Sequence, residues 1–132
     1  MCSSDLKIWL PLPPSVNHIW RHAKGRTYPS ANYTKWVKAA DLALATQQIP
    51  AGIQGPVEVR LVAFRGKGWV ERKRDLDNLW KPCLDFAVRR GLIEADDHQV
   101  VKRLVADVSP EPASMAGVVL VIQKYGGFHE PV

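Results

Sequence analysis

Between Pro56 and Phe64 the chain alternates, with Val57, Val59, Leu61 and Ala63 set against Glu58 and Arg60. A period of two writes a strand with one face committed to a core. Helical spacing flanks it on both sides. Tyr33, Trp36, Val37, Ala40 and Leu44 recur at helical intervals, predicting a helix from the cap residue Ser30 to about Gln48, ended by Pro50 and Gly52. A second helix is expected from about Asn78, turning Leu79, Cys83 and Ala87 inward, with Gly91 as its C′ residue. Pro82 removes one backbone bond early in that helix, so an irregular first turn is expected. Lys7–Leu12 reads as a short strand stopped by Pro11, Pro13 and Pro14, and Ser15–Pro29, without a clean period, as a loop. Gln99–Val108 and Gly117–Tyr125 read as strands joined through Pro110 and Pro112, expected to form an antiparallel hairpin. The expected fold is α+β: one small domain over residues 1–132, a mixed sheet with two main helices, in the order β-α-β-α-β-β.

Composition narrows the class. A chain of 132 residues, 46% hydrophobic and 23% charged, has ordinary globular make-up and supports one domain. No apolar run approaches the ~20 residues that cross a bilayer, and Met1–Leu12 lacks a signal-peptide core and cleavage site. Cys2 and Cys83, 81 positions apart, exclude a disulfide scaffold. A reducing cytoplasm, with no membrane partner, is the expected setting.

The net charge of +5 is sorted along the chain. From Leu6 to Ala40 there are six basic residues (Lys7, Arg21, Lys24, Arg26, Lys35, Lys38) and no acid. Arg65–Arg74 carries five bases and one acid. Asp75–Asp97 then carries six acids (Asp75, Asp77, Asp85, Glu94, Asp96, Asp97) against three bases. Basic segments flanking an acidic cluster suit a polyanion held around a cation.

The chemistry concentrates in Arg72-Lys73-Arg74-Asp75-Leu76-Asp77-Asn78-Leu79-Trp80-Lys81, followed by Ala95-Asp96-Asp97. In an extended segment Asp75 and Asp77 share a face. Two adjacent carboxylates repel unless a cation sits between them, and carboxylate oxygens with a substrate phosphate are what Mg²⁺ prefers. Asp97 or Asp96 would close such a site across the fold. Lys81, four residues past Asp77, falls on the same side of a helix that starts there, within reach of phosphate or attacking water. Asp-x-Asp alone is also satisfied by Asp77 or Asn78 as a helix N-cap with Asp75 in a turn. A sugar-nucleotide transferase uses the same pair, but on a nucleotide-binding scaffold much larger than this chain.

Arg74-Asp75-Leu76-Asp77-Asn78-Leu79-x-Lys81, then Gly91-Leu92-Ile93 and Asp96-Asp97-x-Gln99-Val100-Val101, closely resembles the RusA family of Holliday-junction resolvases. Leu10-Pro11-x-Pro13-Pro14-Ser15-x-Asn17, with Arg21 soon after, is similar to that family's opening motif, and the resemblance spans about residues 8–105. It implies a small homodimeric, Mg²⁺-dependent endonuclease that nicks four-way DNA junctions in symmetric pairs in recombination and repair, of a kind many phages and prophages encode. By position it makes Asp75, Asp77 and Asp97 the metal carboxylates, Asp96 a further candidate, and Lys81 an essential basic residue. Arg74 becomes a DNA contact. Asn17, Arg21, Lys24, Arg26, Arg65, Lys67, Arg72 and Lys73 complete the expected DNA-binding set, gripping backbones without reading sequence. Pro82 and Trp69 depart from the family pattern. The rival of another class is a non-catalytic branched-DNA binder on the same scaffold. Unneutralised carboxylates beside phosphates would weaken such a binder.

Other residues are read more plainly. His18 and His22 have helical zinc spacing but no further ligands. His98 is a neighbour of the acidic site, and Gly66-Lys67-Gly68 lacks Walker spacing. Cys83 and Trp36 read as core, whereas Trp20 and Trp69 sit in basic stretches suited to stacking on bases.

Overall fold

The computed structural model describes residues 5–14, 20–23, 26–29, 31–49, 51–67 and 77–126; the side chains of residues 20–23, 26–29 and 77–78 lie outside that description. The elements are β1 (Leu6–Pro11), β2 (Trp20–Ala23), β3 (Arg26–Pro29), α1 (Ala31–Thr46), β4 (Val57–Phe64), α2 (Asp77–Arg89), β5 (Val101–Val108) and β6 (Gly117–Lys124). Strands β1, β6, β4 and β5 form a mixed sheet in that order, and β2 pairs with β3 in a separate antiparallel ribbon. The α+β reading with two helices on a mixed sheet therefore holds. No helix among the described residues is long and apolar enough to cross a membrane.

Two local expectations are corrected. The stretch read as a loop, Ser15–Pro29, contains the β2–β3 ribbon, with Arg21 opposite Tyr28 and Ala23 opposite Arg26. Four-residue strands are too short to declare a period of two. The last two strands do not form a hairpin, because β4 lies between β5 and β6, parallel to the first and antiparallel to the second. The reason lies in their side chains. Strand β6 places Val118, Leu120 and Ile122 fully in the core and belongs inside the sheet, while β5 is mostly exposed and belongs at an edge. The connection between them is tied to the segment after β4, where Ala113 N donates to Arg65 O and Ala116 N to Lys67 O, both at 2.8 Å. It crosses the end of β4 before β6 begins.

The core follows the alternation that opened the sequence. Val57, Val59, Leu61 and Ala63 are fully buried, beside Leu6, Ile8 and Leu10 of β1. The helices cover this face with Tyr33, Trp36 and Ala40 from α1 and Leu79, Cys83, Phe86 and Ala87 from α2. Trp36 meets Phe86 edge-on at 5.8 Å and donates its indole N–H to Pro11 O at 2.9 Å, so its one polar atom is satisfied. Cys83 is core as expected, and burial pushes its thiol up to about 12. At neutral pH it carries no thiolate and no nucleophilic role.

Helix α2 runs continuously from Asp77 to Arg89, through the buried Pro82. It ends as Gly91 predicts. Gly91, at φ +72°, donates to Val88 O at 3.0 Å, and Leu92 N donates to Ala87 O at 2.8 Å. These two bonds make a Schellman cap that needs a left-handed residue at C′. The cap turns the chain back, and Ile53 N fastens the returning segment through Leu92 O at 3.0 Å. That return carries Asp96 and Asp97 toward α2.

Candidate active site

Along α2, Asp77, Lys81 and Asp85 follow one another at four-residue intervals, so their Cα positions share one side of the helix. The Lys81 ammonium lies 3.3 Å from Asp85 Oδ1 and 3.7 Å from Asp96 Oδ2. One contact runs along the helix; the other crosses to the segment that the Schellman cap turns back. Lys81 remains about half exposed, and Asp85 and Asp96 are one-quarter to one-third exposed, so the cluster is open to a solvent-borne substrate. The negative charge of Asp85 above all, followed by that of Asp96, holds the Lys81 ammonium above its ordinary range despite some desolvation. Lys81 is a fixed cation at neutral pH.

Asp97 is held differently. Its Oδ1 accepts from Gln99 N at 2.9 Å and Val100 N at 3.3 Å. Its backbone carbonyl accepts from Val101 N at 2.8 Å. The side chain thus caps the turn that feeds β5, and among the described residues its second oxygen accepts no hydrogen bond. One carboxylate oxygen is committed to the backbone of the turn.

The remaining expected residues divide by place. Asp77 is the first residue of α2, and its side chain lies outside the description. Asp75, Asn17, Lys24, Arg72, Lys73, Arg74 and Trp69 lie outside the described residues altogether. Arg21 and Arg26 are placed on the β2–β3 ribbon, with Trp20 at its start. Lys67 bridges Met115 through its backbone, while the Arg65 guanidinium donates to Pro110 O at 3.3 Å. Both basic residues therefore follow directly from β4. Among the described residues no group of three or more His, Cys, Asp or Glu converges on a metal-sized site. Asp96, whose Oδ2 meets Lys81, and its neighbour Asp97, whose Oδ1 caps the following turn, carry oxygens of the hard kind a magnesium-like cation takes. Among the described residues the one thiol, Cys83, is walled into the core and offers no softer ligand.

Sequence reasoning counted Asp85 only as one acid among six. The signal was present: an acid four residues after Lys81 on one helix is an ion-pair spacing.

Comparison with known proteins reports the same stretch of chain. The family model for "Endodeoxyribonuclease RusA" matches residues 11–121. A protein of Escherichia coli named "Crossover junction endodeoxyribonuclease RusA" is 35% identical over 94 residues, covering 71% of this chain and 75% of its own length. The protein of the same name from Enterobacteria phage 82 matches with the same identity and coverage, as does the one from Shigella sonnei.

Proposed function

Because the chain belongs to the endodeoxyribonuclease RusA family, we propose that it resolves four-way DNA junctions by Mg²⁺-dependent hydrolysis of backbone phosphodiesters, in paired symmetric nicks made by a homodimer, during DNA recombination and repair in the cytoplasm. The observation that carries this reading is the Lys81 ammonium held between Asp85 and Asp96 at the mouth of an acidic cluster. Asp75, Asp77 and Asp97 would hold the divalent cation, with Asp96 beside them. When bound, that ion lowers the pKa of a water and offsets charge on the scissile phosphate.

The chain's own residues supply the rest. Lys81 offers a permanent positive charge to the non-bridging phosphate oxygens, where negative charge grows toward the transition state. Asp85 and Asp96 keep that ammonium from swinging outward to distant backbone. The cap made by Asp97 fixes its carboxylate just ahead of β5. The bases of residues 65–67 and 72–74 and of the β2–β3 ribbon give a sequence-independent grip on the DNA backbones. A junction has two-fold symmetry, and two identical sites match it.

Incubation with an end-labelled synthetic four-way junction, in Mg²⁺ and in chelator, tests the reading. The expected result is paired incisions across the junction only when the metal is present, with linear duplex of the same sequence intact. Binding of the junction without incision in any divalent metal would replace it with the branched-DNA binder.

A further inference from the structure

We propose that the outer edge of β5 is where two copies of this chain join, as antiparallel strands related by a two-fold axis through Val105. The inference rests on the dimer put forward above and says where it forms.

The sheet has two edges, β1 and β5. The first is closed from within. Trp9 N donates to Gln47 Oε1 and Gln47 Nε2 donates to Trp9 O, both at 2.9 Å, so one side chain occupies the backbone pair that another strand would need. Pro11, which has no N–H, has its carbonyl taken by the Trp36 indole. Strand β5 differs. Ser109 N donates to Ala63 O at 2.8 Å, and the parallel register aligns Arg60 with Val105 and Leu61 with Ala106. By alternation, Arg103, Val105 and Asp107 turn their backbone groups toward β4, while Leu104, Ala106 and Val108 turn theirs outward. Among the described residues nothing pairs with that outward row. Leu104 and Val108 are 47% and 43% exposed on the same strand.

Exposed edges are usually guarded by charges that repel another strand. The charges on β5 are arranged to attract a copy of themselves. Arg103 and Asp107 stand at equal distances on either side of Val105 and have opposite signs. Antiparallel pairing about Val105 sets Leu104 opposite the partner's Ala106, with the outward backbone groups of both meeting in hydrogen-bonded pairs. It sets Arg103 opposite the partner's Asp107 in the non-hydrogen-bonded positions, where side chains approach most closely. Within one chain Arg103 already accompanies Glu58 at 3.9 Å, and Asp107 accompanies Arg60 at 3.5 Å. Each half of the joint then reads negative, positive, negative, positive across four strands, β4 and β5 of one copy and β5 and β4 of the other. Pivoting about Leu104 or Ala106 instead puts Arg103 opposite Val105 or Ser109 and loses both pairs, so the charges select one register. The occupant this edge fits is a second copy of the chain.

The test joins sedimentation with oxidative cross-linking of the full chain carrying Cys2→Ser. The unmodified chain should sediment at twice its 14.8 kDa mass. Val105→Cys, on the axis, should give a covalent dimer on mild oxidation, because facing non-hydrogen-bonded residues fall within disulfide range. Leu104→Cys, which faces Ala106, should not. Asp107→Arg should weaken the dimer on the order of tenfold, as two like-charged pairs replace two opposite ones, with its melting temperature as a folding control. A dimer that fails to cross-link through Val105→Cys, or is indifferent to Asp107→Arg, overturns this interface and leaves the paired-site reading standing. A monomer overturns both.

Discussion

The ammonium of Lys81 lies 3.3 Å from the carboxylate of Asp85, one helical turn further along α2. With Lys81 half exposed, an ion pair of this kind contributes about 1 kcal/mol or less to stability. Its consequence is positional. Asp85 is the principal cause of the raised Lys81 pKa, so the small folding contribution is present from the neutral range up to the ordinary lysine pKa and is lost as pH rises through the higher folded one. Across the neutral range neither the charge nor the position of Lys81 changes.

Lys81 is therefore expected to act on chemistry more than on affinity. Lys81→Ala should slow junction cleavage by on the order of 10²–10³ at saturating DNA, the size of one lost transition-state donor. Binding should fall only by the amount of one phosphate contact. Lys81→Arg should restore part of the rate, since charge is kept and geometry altered. Single-turnover kinetics beside gel-shift titrations check this, and normal turnover by Lys81→Ala at saturation would assign the side chain to binding alone.

Asp85 is expected to act through Lys81. Asp85→Asn should lower the cleavage rate by roughly three- to tenfold without changing junction affinity, and should add nothing in a Lys81→Ala background, as coupled neighbours do. Full additivity in that double-mutant cycle would mean that Asp85 serves some other contact.

How much of this was legible depends on the range of the signal. The alternation at Val57–Ala63 and the spacing of Tyr33, Trp36 and Ala40 are local, and both faces are buried as they predict. Gly91 announced its cap because only a left-handed residue suits that turn. What escaped was the order of strands. Nothing local in Val101–Val108 says that β4, and not β6, will be its neighbour; the crossover through α2 decides that. For the candidate site, Asp77, Lys81 and Asp97 are expected from the motif alone. The contact of Lys81 with Asp96 needs the chain reversal after Gly91, and Asp85 was hidden by being an ordinary helix neighbour.

Asp97 should separate into its two duties. Asp97→Ala removes the acceptor for Gln99 N and Val100 N and should cost about 1 kcal/mol in stability, the usual value of such a cap. Asp97→Asn keeps an acceptor oxygen and should melt near the unmodified chain, yet lose cleavage with the charge. Thermal melts and cleavage assays on the same preparations distinguish them, and an active Asp97→Asn would remove this residue from the cation site.

Gly52 should tolerate no side chain. An added Cβ would run into the Gly91 carbonyl oxygen and come within 2.9 Å of Leu92 Cα, backbone atoms fixed by the Schellman cap. Gly52→Ala should destabilise the fold by about 1–3 kcal/mol, as overpacking does, and loosen the segment leading to Asp96. Denaturant unfolding measures it; an unchanged midpoint would show that this segment yields freely.

Asp75 and Asp77 are expected to serve metal-dependent incision and not merely the binding of branched DNA. The most direct measurement is nicking of one labelled four-way junction in Mg²⁺ by the unmodified chain, Asp75→Asn and Asp77→Asn, with junction binding measured on the same preparations. The expected result is paired nicks from the unmodified chain alone, and binding by both variants that is equal or tighter because a negative charge beside DNA has gone. Near-normal nicking by both variants would remove Asp75 and Asp77 from any metal-holding role.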